Sequence, residues 1–417
     1  MSETVSLPVP EAGRRAAERF VAEHLDGLFC DAPVGSERFR GGQLTADAAL
    51  AAYDVRNYAS RRNEVLPTSR RGASALSPYV RHGLLSLGRL WHHVAGGPAR
   101  DVSKFRDELM WQEFARHWYA SYGTATRQGV RRELGTGAGM GAGVDERSAG
   151  VSGWDRRLAC LDMTVGELER DGWLVNQTRM WLSSHWSVRN GRRWQDGENV
   201  FFAHLLDGSR AANRLGWQWT TGVGSSQHYG FSRWQVEKRA KGVCDRCELR
   251  DACPIEDWPD DPSFVEGGVG RPTRRSLAGP DEVTEGCAPE VVWLTAESLG
   301  DDDPARAAHP DLPVVFTFDR RLLERVRLSG KRLVFLTETL AEIGAARDLE
   351  IHLGDPVEAL GGRIPAVTHA PVPGFARLDG RLDELEKHPW PWLCRPTGGS
   401  VSSFSAWRKS VRVAGPS

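Results

Sequence analysis

The sequence predicts two architectures in one chain: an all-helical region over residues 1–240 and, over residues 289–417, an α/β unit with a doubly wound parallel sheet. Three observations carry this reading. Up to about Ala240 the apolar residues recur at helical spacing. After residue 288 short apolar runs alternate with helical stretches, the pattern of parallel strands joined by crossover helices. Between the two, residues 241–288 are rich in Pro, Gly, Asp and Cys and read as a linker.

In chain order, Phe20, Val21 and Leu25 share one helical face, and Leu50, Tyr53 and Val55 to Tyr58 continue at the same spacing. Leu84, Leu87, Leu90 and Trp91 follow, and Leu109 to Tyr119 is a strongly aromatic helix. The Gly-rich stretch Gly135–Gly143 has no apolar strand before it and reads as a loop rather than a dinucleotide cradle. Residues 161–186 give two helices around the turn Asp171–Gly172. In the second region Val291–Leu294, Val314–Phe318, Leu349–Leu353 and Ala366–His369 read as strands, and Arg332 to Ala346 as a helix.

Composition bounds the function. The 417 residues hold 54 Lys+Arg against 55 Asp+Glu and 40% apolar residues, an ordinary balance for a globular protein of two or three domains. No apolar run is long enough for a membrane span. The opening residues lack the basic and apolar regions of a secretory signal, and seven cysteines is an odd count for a disulfide framework, so a cytoplasmic monomer is expected. Only six of the basic residues are lysine, which fits a GC-rich genome. Residues 1–240 hold 32 basic and 26 acidic side chains, a net +6, whereas residues 241–417 hold 22 and 29, a net −7. A polyanion would therefore meet the first region. The 16 tryptophans outnumber the 14 phenylalanines, and indole both fills cores and stacks on bases or carries electrons.

Cys244-x-x-Cys247-x5-Cys253-Pro254 is a tight thiol cluster of the kind that binds an iron–sulfur cluster or zinc. Three ligands are local, and a fourth would come from Cys30, Cys160, Cys287 or Cys394. The pair His92-His93 and His185 read as helix-surface or core residues, and most of the arginine pairs as solvated faces.

Six ordered blocks carry a more specific signal: Tyr58-Ala59-Ser60-Arg61-Arg62-Asn63, Ser74-Ala75-Leu76-Ser77-Pro78-Tyr79, Glu108-Leu109-Met110-Trp111-Gln112-Glu113-Phe114, Asp162 with Gly172-Trp173-Leu174-Val175-Asn176 and Arg179-Met180, Asp207-Gly208-Ser209-Arg210-Ala211-Ala212-Asn213, and Gly216-Trp217-Gln218-Trp219. Together they resemble the flavin-binding domain of the DNA photolyase/cryptochrome family. Ala73, Ala115, Gln177 and Ser209 depart from that pattern. Val291-Val292-Trp293, Phe318-Asp319-Arg320, Gly354-Asp355-Pro356 and Ser403-Phe404-Ser405-Ala406-Trp407-Arg408 resemble the family's Rossmann-like antenna domain, which in the family comes first. The resemblance thus implies a circularly permuted photolyase architecture.

It also implies FAD, with the pyrophosphate at Tyr58, Ser74, Ala75, Leu76 and Ser77, Trp111 beside the cofactor, Asp207 accepting from the flavin, and Asn213 near its N5. Glu113, Asn176 and Met180 would line the cavity for a flipped pyrimidine dimer, and Trp217 then Trp194 would relay electrons, with Trp154 a candidate third member. The implied activity is light-driven repair of cyclobutane dimers in DNA. A cryptochrome-like photoreceptor or redox flavoprotein without repair is the alternative, and the antenna pigment is left open.

Overall fold

The computed structural model describes residues 4–135, 151–269, 277–284 and 288–413. Most of the Gly-rich stretch and Cys287 lie outside the described residues. The chain opens with strand β1 (Val5–Leu7) and helix α1 (Arg14–His24). The main helices that follow are α2 (Ser77–Arg81), α3 (Ala99–Tyr122), α4 (Ala159–Asp171), α5 (Asn176–Ser183), α6 (Trp194–His204) and α7 (Arg210–Thr221). The second region holds β2 (Val291–Leu294), β3 (Val314–Asp319), α8 (Gly330–Ala346), β4 (Leu349–Gly354), β5 (Pro365–Thr368), β6 (Glu386–His388) and α9 (Phe404–Ser410).

Local chemistry sets the helix ends. Helix α4 stops where Gly172 turns left-handed at φ 64°, a conformation that costs a residue without Cβ nothing. Helix α7 starts where the Ser209 hydroxyl accepts the Ala211 N–H at 3.2 Å. The helical spacing expected through residues 50–58 is broken after Ala51. There the Asp101 carboxylate accepts the N–H groups of Asn57 and Ala59, and Asn57 adopts φ 65°.

The sheet runs in the order β1-β4-β3-β2-β5-β6, with β2 to β6 mutually parallel. Chain order reverses direction at β2, between β3 and β5, which makes the sheet doubly wound as expected and creates a crevice at its carboxyl edge. Two expectations need correcting. The first region is not all helical, because β1 pairs antiparallel with β4, Val5 facing Leu353 and Leu7 facing Ile351. Helix α1 goes with it: Phe20 packs 6.4 Å from Phe318, and α1 lies on α8. Three residues with no local partner leave no periodic trace, so the strand was invisible in the sequence. The segment after residue 240 is also more than a linker, since Val243 and Ile255 are buried in one core with Leu161, Trp181 and Trp217.

Candidate functional site

The blocks picked from the sequence converge around Trp173. Its indole N–H donates to Ser77 Oγ at 3.0 Å, which leaves the serine's own O–H free to donate elsewhere. The backbone next to it, Gly172 C=O, accepts the Leu206 N–H, so the loop at 74–77 and the turn at 206–207 are held against the same segment. In that loop Ala75 has φ 57°, and Ser74 Oγ faces the Leu76 N–H at 3.4 Å. Tyr58 is buried with its ring 5.0 Å from Phe105, and burial pushes its phenol pKa up. Nearby Glu108 is held by Arg62 at 3.3 Å and Lys104 at 3.0 Å.

Asp207 is the pivot. Arg179 donates to its Oδ2 at 2.7 Å, while Oδ1 is buried with no hydrogen-bond partner. The Asn213 amide nitrogen is also buried and unpartnered. Two orphaned buried polar atoms six residues apart are costly unless a ligand satisfies them, and a flavin ring presents both acceptors and donors. The residues present therefore fit FAD. Gly208 between them tolerates no side chain, because a Cβ would meet Arg332 Nη1 at 2.5 Å and Phe202 C=O at 2.7 Å. Its own carbonyl accepts from both Arg81 and Arg332, two residues that sequence reasoning missed. Asn176 is exposed and Met180 half-buried, one turn apart on α5 beside Arg179. Gln177 is tied to the Tyr229 hydroxyl at 2.6 Å.

Glu113 is fully buried on α3; its Oε1 accepts the Cys394 N–H at 2.9 Å, while its Oε2 is buried with no hydrogen-bond partner. Burial pushes its carboxyl pKa up to about 7, against the opposing pull of Arg116 and the backbone N–H groups of Cys394 and Leu393. Trp111 is corrected in part: one face of its ring is stacked on Phe404 at 3.9 Å and 8°, so α9 covers it.

Trp217, Trp194 and Trp154 all lie in one buried cluster. Trp217 presses on α6 at Gly197, where an added Cβ would come within 2.2 Å of its ring, and Trp194 is one turn away on that helix. Phe201 stands 5.1 Å from Trp217 and 6.3 Å from Trp154, and Trp154 is 4.9 Å from Trp186. A series of rings therefore leads outward from Asn213's helix.

Cys160 joins Cys244, Cys247 and Cys253 around one small pocket with Arg233 and Arg250 at its rim. Burial and these three neighbours push the Cys160 thiol up to about 12. Cys30 and Cys394 sit elsewhere, beside His204 and Met110. Among the described residues no three of the four sulfurs lie within 4.8 Å of one another. A tetrahedral zinc with ~2.3 Å bonds needs sulfurs about 3.8 Å apart.

At the carboxyl edge of the sheet, facing α3 and α7, lies a cavity of about 580 Å³. Phe316, Phe318 and Trp390 contribute to its apolar wall, and Arg81, Arg116, Arg210 and Arg332 to a cationic one. Burial, with Arg81 adding to it, lowers Arg332 to about 9.

Residues 105–243 match the model of the FAD binding domain of DNA photolyase. The chain is 30% identical over 166 residues to the deoxyribodipyrimidine photo-lyase of Vibrio cholerae, covering 37% of this chain and 34% of that protein. It is 26% identical over 211 residues to the enzyme of that name from Synechococcus, covering 48% and 41%. A class III photolyase structure from Agrobacterium tumefaciens aligns at 24% identity and a TM-score of 0.39, over 48% of this chain and 42% of that one. The chain thus spans less than half the length of these curated relatives. Through the stretch that carries Asp207, Asn213 and Trp217, the chain is similar to the FAD binding domain of DNA photolyase.

Proposed function

We propose that this chain is a light-driven flavoprotein that repairs cyclobutane pyrimidine dimers in DNA, and that its order of domains is a circular permutation of the family's. The observation that carries the reading is the pair of buried, unsatisfied atoms Asp207 Oδ1 and Asn213 Nδ2. FAD, when bound, supplies an electron to the dimer under light and takes it back. The protein's own work is positional. Arg179 consumes one oxygen of Asp207 and so aims the other, while the hydroxyls of Ser74, Ser77 and Tyr58 supply donors for a pyrophosphate. Asn176 and Met180 offer an amide and a soft apolar surface to a base taken out of the stack, the general route by which photolyases reach their substrate.

Cys160, Cys244, Cys247 and Cys253 would hold an iron–sulfur cluster, whose negative charge Arg233 and Arg250 would offset. The cavity at the sheet's carboxyl edge is the place for an antenna pigment, with arginines for an anionic group and aromatic rings for a planar body.

The absorption spectrum of the purified protein reports flavin and cluster together, and binding to a dimer-containing oligonucleotide then tests repair. Folded protein with no flavin and no affinity for added FAD would end the reading. One observation bears on a second reading, a cryptochrome-like photoreceptor: Glu113, the carboxylate assigned to the dimer, gives its Oε1 to the backbone at Cys394 and keeps only Oε2 unpartnered. Bound flavin with equal affinity for damaged and undamaged DNA would select it.

A further inference from the structure

Cys30, Asp31 and His204 form a constellation that the flavin site does not use. Cys30 is exposed, in the loop after α1, and His204 is the last residue of α6, buried beneath it. Cys30 Sγ lies 3.7 Å from His204 Nε2, and the other ring nitrogen, Nδ1, lies 3.5 Å from Asp31 Oδ2. The thiol, the carboxylate and the imidazole thus lie together, their polar atoms within 4.8 Å of one another. The loop is fixed in this pose by backbone and side chain alike. The Cys30 N–H donates to Leu328 C=O at 3.2 Å, Asp31 Oδ1 accepts the Gly330 N–H at 2.6 Å, and Asp31 Oδ2 holds Lys331 Nζ at 2.7 Å.

We propose that Cys30 is a thiolate nucleophile activated by His204 and oriented through Asp31, and that it is a site of covalent modification by soft electrophiles and peroxides. An imidazolium in contact with sulfur favours the thiolate, and the carboxylate beside the ring keeps the imidazolium charged. The charged groups of the constellation are His204, Asp31 and, bound to Asp31, Lys331. Burial works against a charged His204, but Asp31 and Cys30 outweigh it and raise its pKa to about 9. Asp31 is held at about 2: burial raises it, and His204, Lys331 and the Gly330 N–H together pull it down further. A metal ion suits the trio less well, because the Lys331 ammonium already occupies the Asp31 oxygen.

The chemistry closes on these groups. With iodoacetamide, the sulfur–carbon bond forms, the carbon–iodine bond breaks, and iodide leaves. With hydrogen peroxide, the sulfur–oxygen bond forms and the oxygen–oxygen bond breaks. The thiolate is oxidised to a sulfenic acid, peroxide is reduced to hydroxide, and the His204 proton converts that hydroxide to water.

The test is the pH dependence of iodoacetamide alkylation on the full chain, with Cys30 separated from the other thiols by peptide mass spectrometry and Cys30→Ser as the control. An ordinary thiol of pKa ~8.5 loses about 50-fold in rate between pH 8.5 and pH 6.5. The parent should lose less than about threefold at Cys30, and His204→Gln should restore the ordinary fall. Should that variant fail to fold, Asp31→Asn should steepen the profile instead, and the parent profile decides by itself. A 50-fold fall at Cys30 in the parent would overturn the proposal. So would a flat profile that survives in the variants, or stoichiometric zinc binding that blocks alkylation.

Discussion

Glu113→Gln tests the energetics of this buried residue. The parent carboxyl is fully buried and lifted from 4.5 to about 7, chiefly by burial. A folded-state pKa above the unfolded one means that the folded protein holds the proton more tightly. The resulting stability is fully present below pH 4.5 and is lost as pH rises through 7. A shift of about 2.5 units at 1.36 kcal/mol each amounts to about 3 kcal/mol, a sizeable part of the ~5–15 kcal/mol that holds a domain together. Glutamine keeps an oxygen for the Cys394 N–H and cannot ionise. Other groups also titrate in this range. His204 loses stability as pH rises, while His117 and His185, lowered to about 4 mainly by burial, gain it. They are common to both proteins and cancel in the difference. Urea unfolding followed by tryptophan fluorescence at pH 5 and pH 7.5 gives that difference directly. The parent should lose about 2.4 kcal/mol relative to the variant between the two conditions, since part of the effect lies below pH 5 and a little above pH 7.5. Parallel profiles would refute the assignment of a buried, proton-holding Glu113.

Gly197→Ala places a methyl 2.2 Å from the Trp217 ring, and the overpacking cost of ~1–3 kcal/mol exceeds the ~0.5–1 kcal/mol that alanine gains in a helix. A lowered thermal midpoint is expected, and an unchanged or raised one would contradict the contact. Trp217→Phe keeps an aromatic ring against Phe201 but removes the easily oxidised indole, so blue-light reduction of bound flavin should slow sharply. Equal photoreduction in variant and parent would remove Trp217 from the pathway. Cys160→Ser should lose as much bound iron as Cys244→Ser, measured by metal analysis. Full metal content in the Cys160 variant would mean that the fourth ligand is another residue.

The sequence was most legible where structure is local or fully buried. Strands β2, β3 and β4 were readable to within a residue, β2 and β3 as apolar runs and β4 as an alternation of apolar and polar residues. The turn at Gly172 and the start of α7 at Ser209 were equally plain, since each rests on one residue's chemistry. Strand β6 is Glu-Lys-His, a polar edge with no apolar signature, and was missed. The flavin-type residues Asp207 and Asn213 emerged from ordered blocks. The backbone partner of Glu113 did not, because it depends on residues 393–394 folding back onto α3 from the far end of the chain. Cys160 was one of four equal candidates, as no spacing rule links it to a cluster 84 residues away. Arg81 and Arg332 were missed for the same reason: their shared target, the Gly208 carbonyl, is a backbone group that carries no sequence signal.

The pairing of β1 with β4 has a consequence for how the molecule is made. Val5 meets Leu353 only after about 350 further residues have left the ribosome, roughly 20–70 s at ~5–20 residues per second. Through that interval the strand and the apolar face of α1, with Ala17, Phe20 and Val21, have no partner. The helices from α3 to α7 can close their own core first, leaving the leading segment as an adhesive end on a nascent chain. When β4 emerges, that end caps the sheet's outer edge and removes a row of open hydrogen-bonding groups that would otherwise recruit another molecule. A joint of the sheet is thus fastened by a segment about 350 residues upstream of its partner.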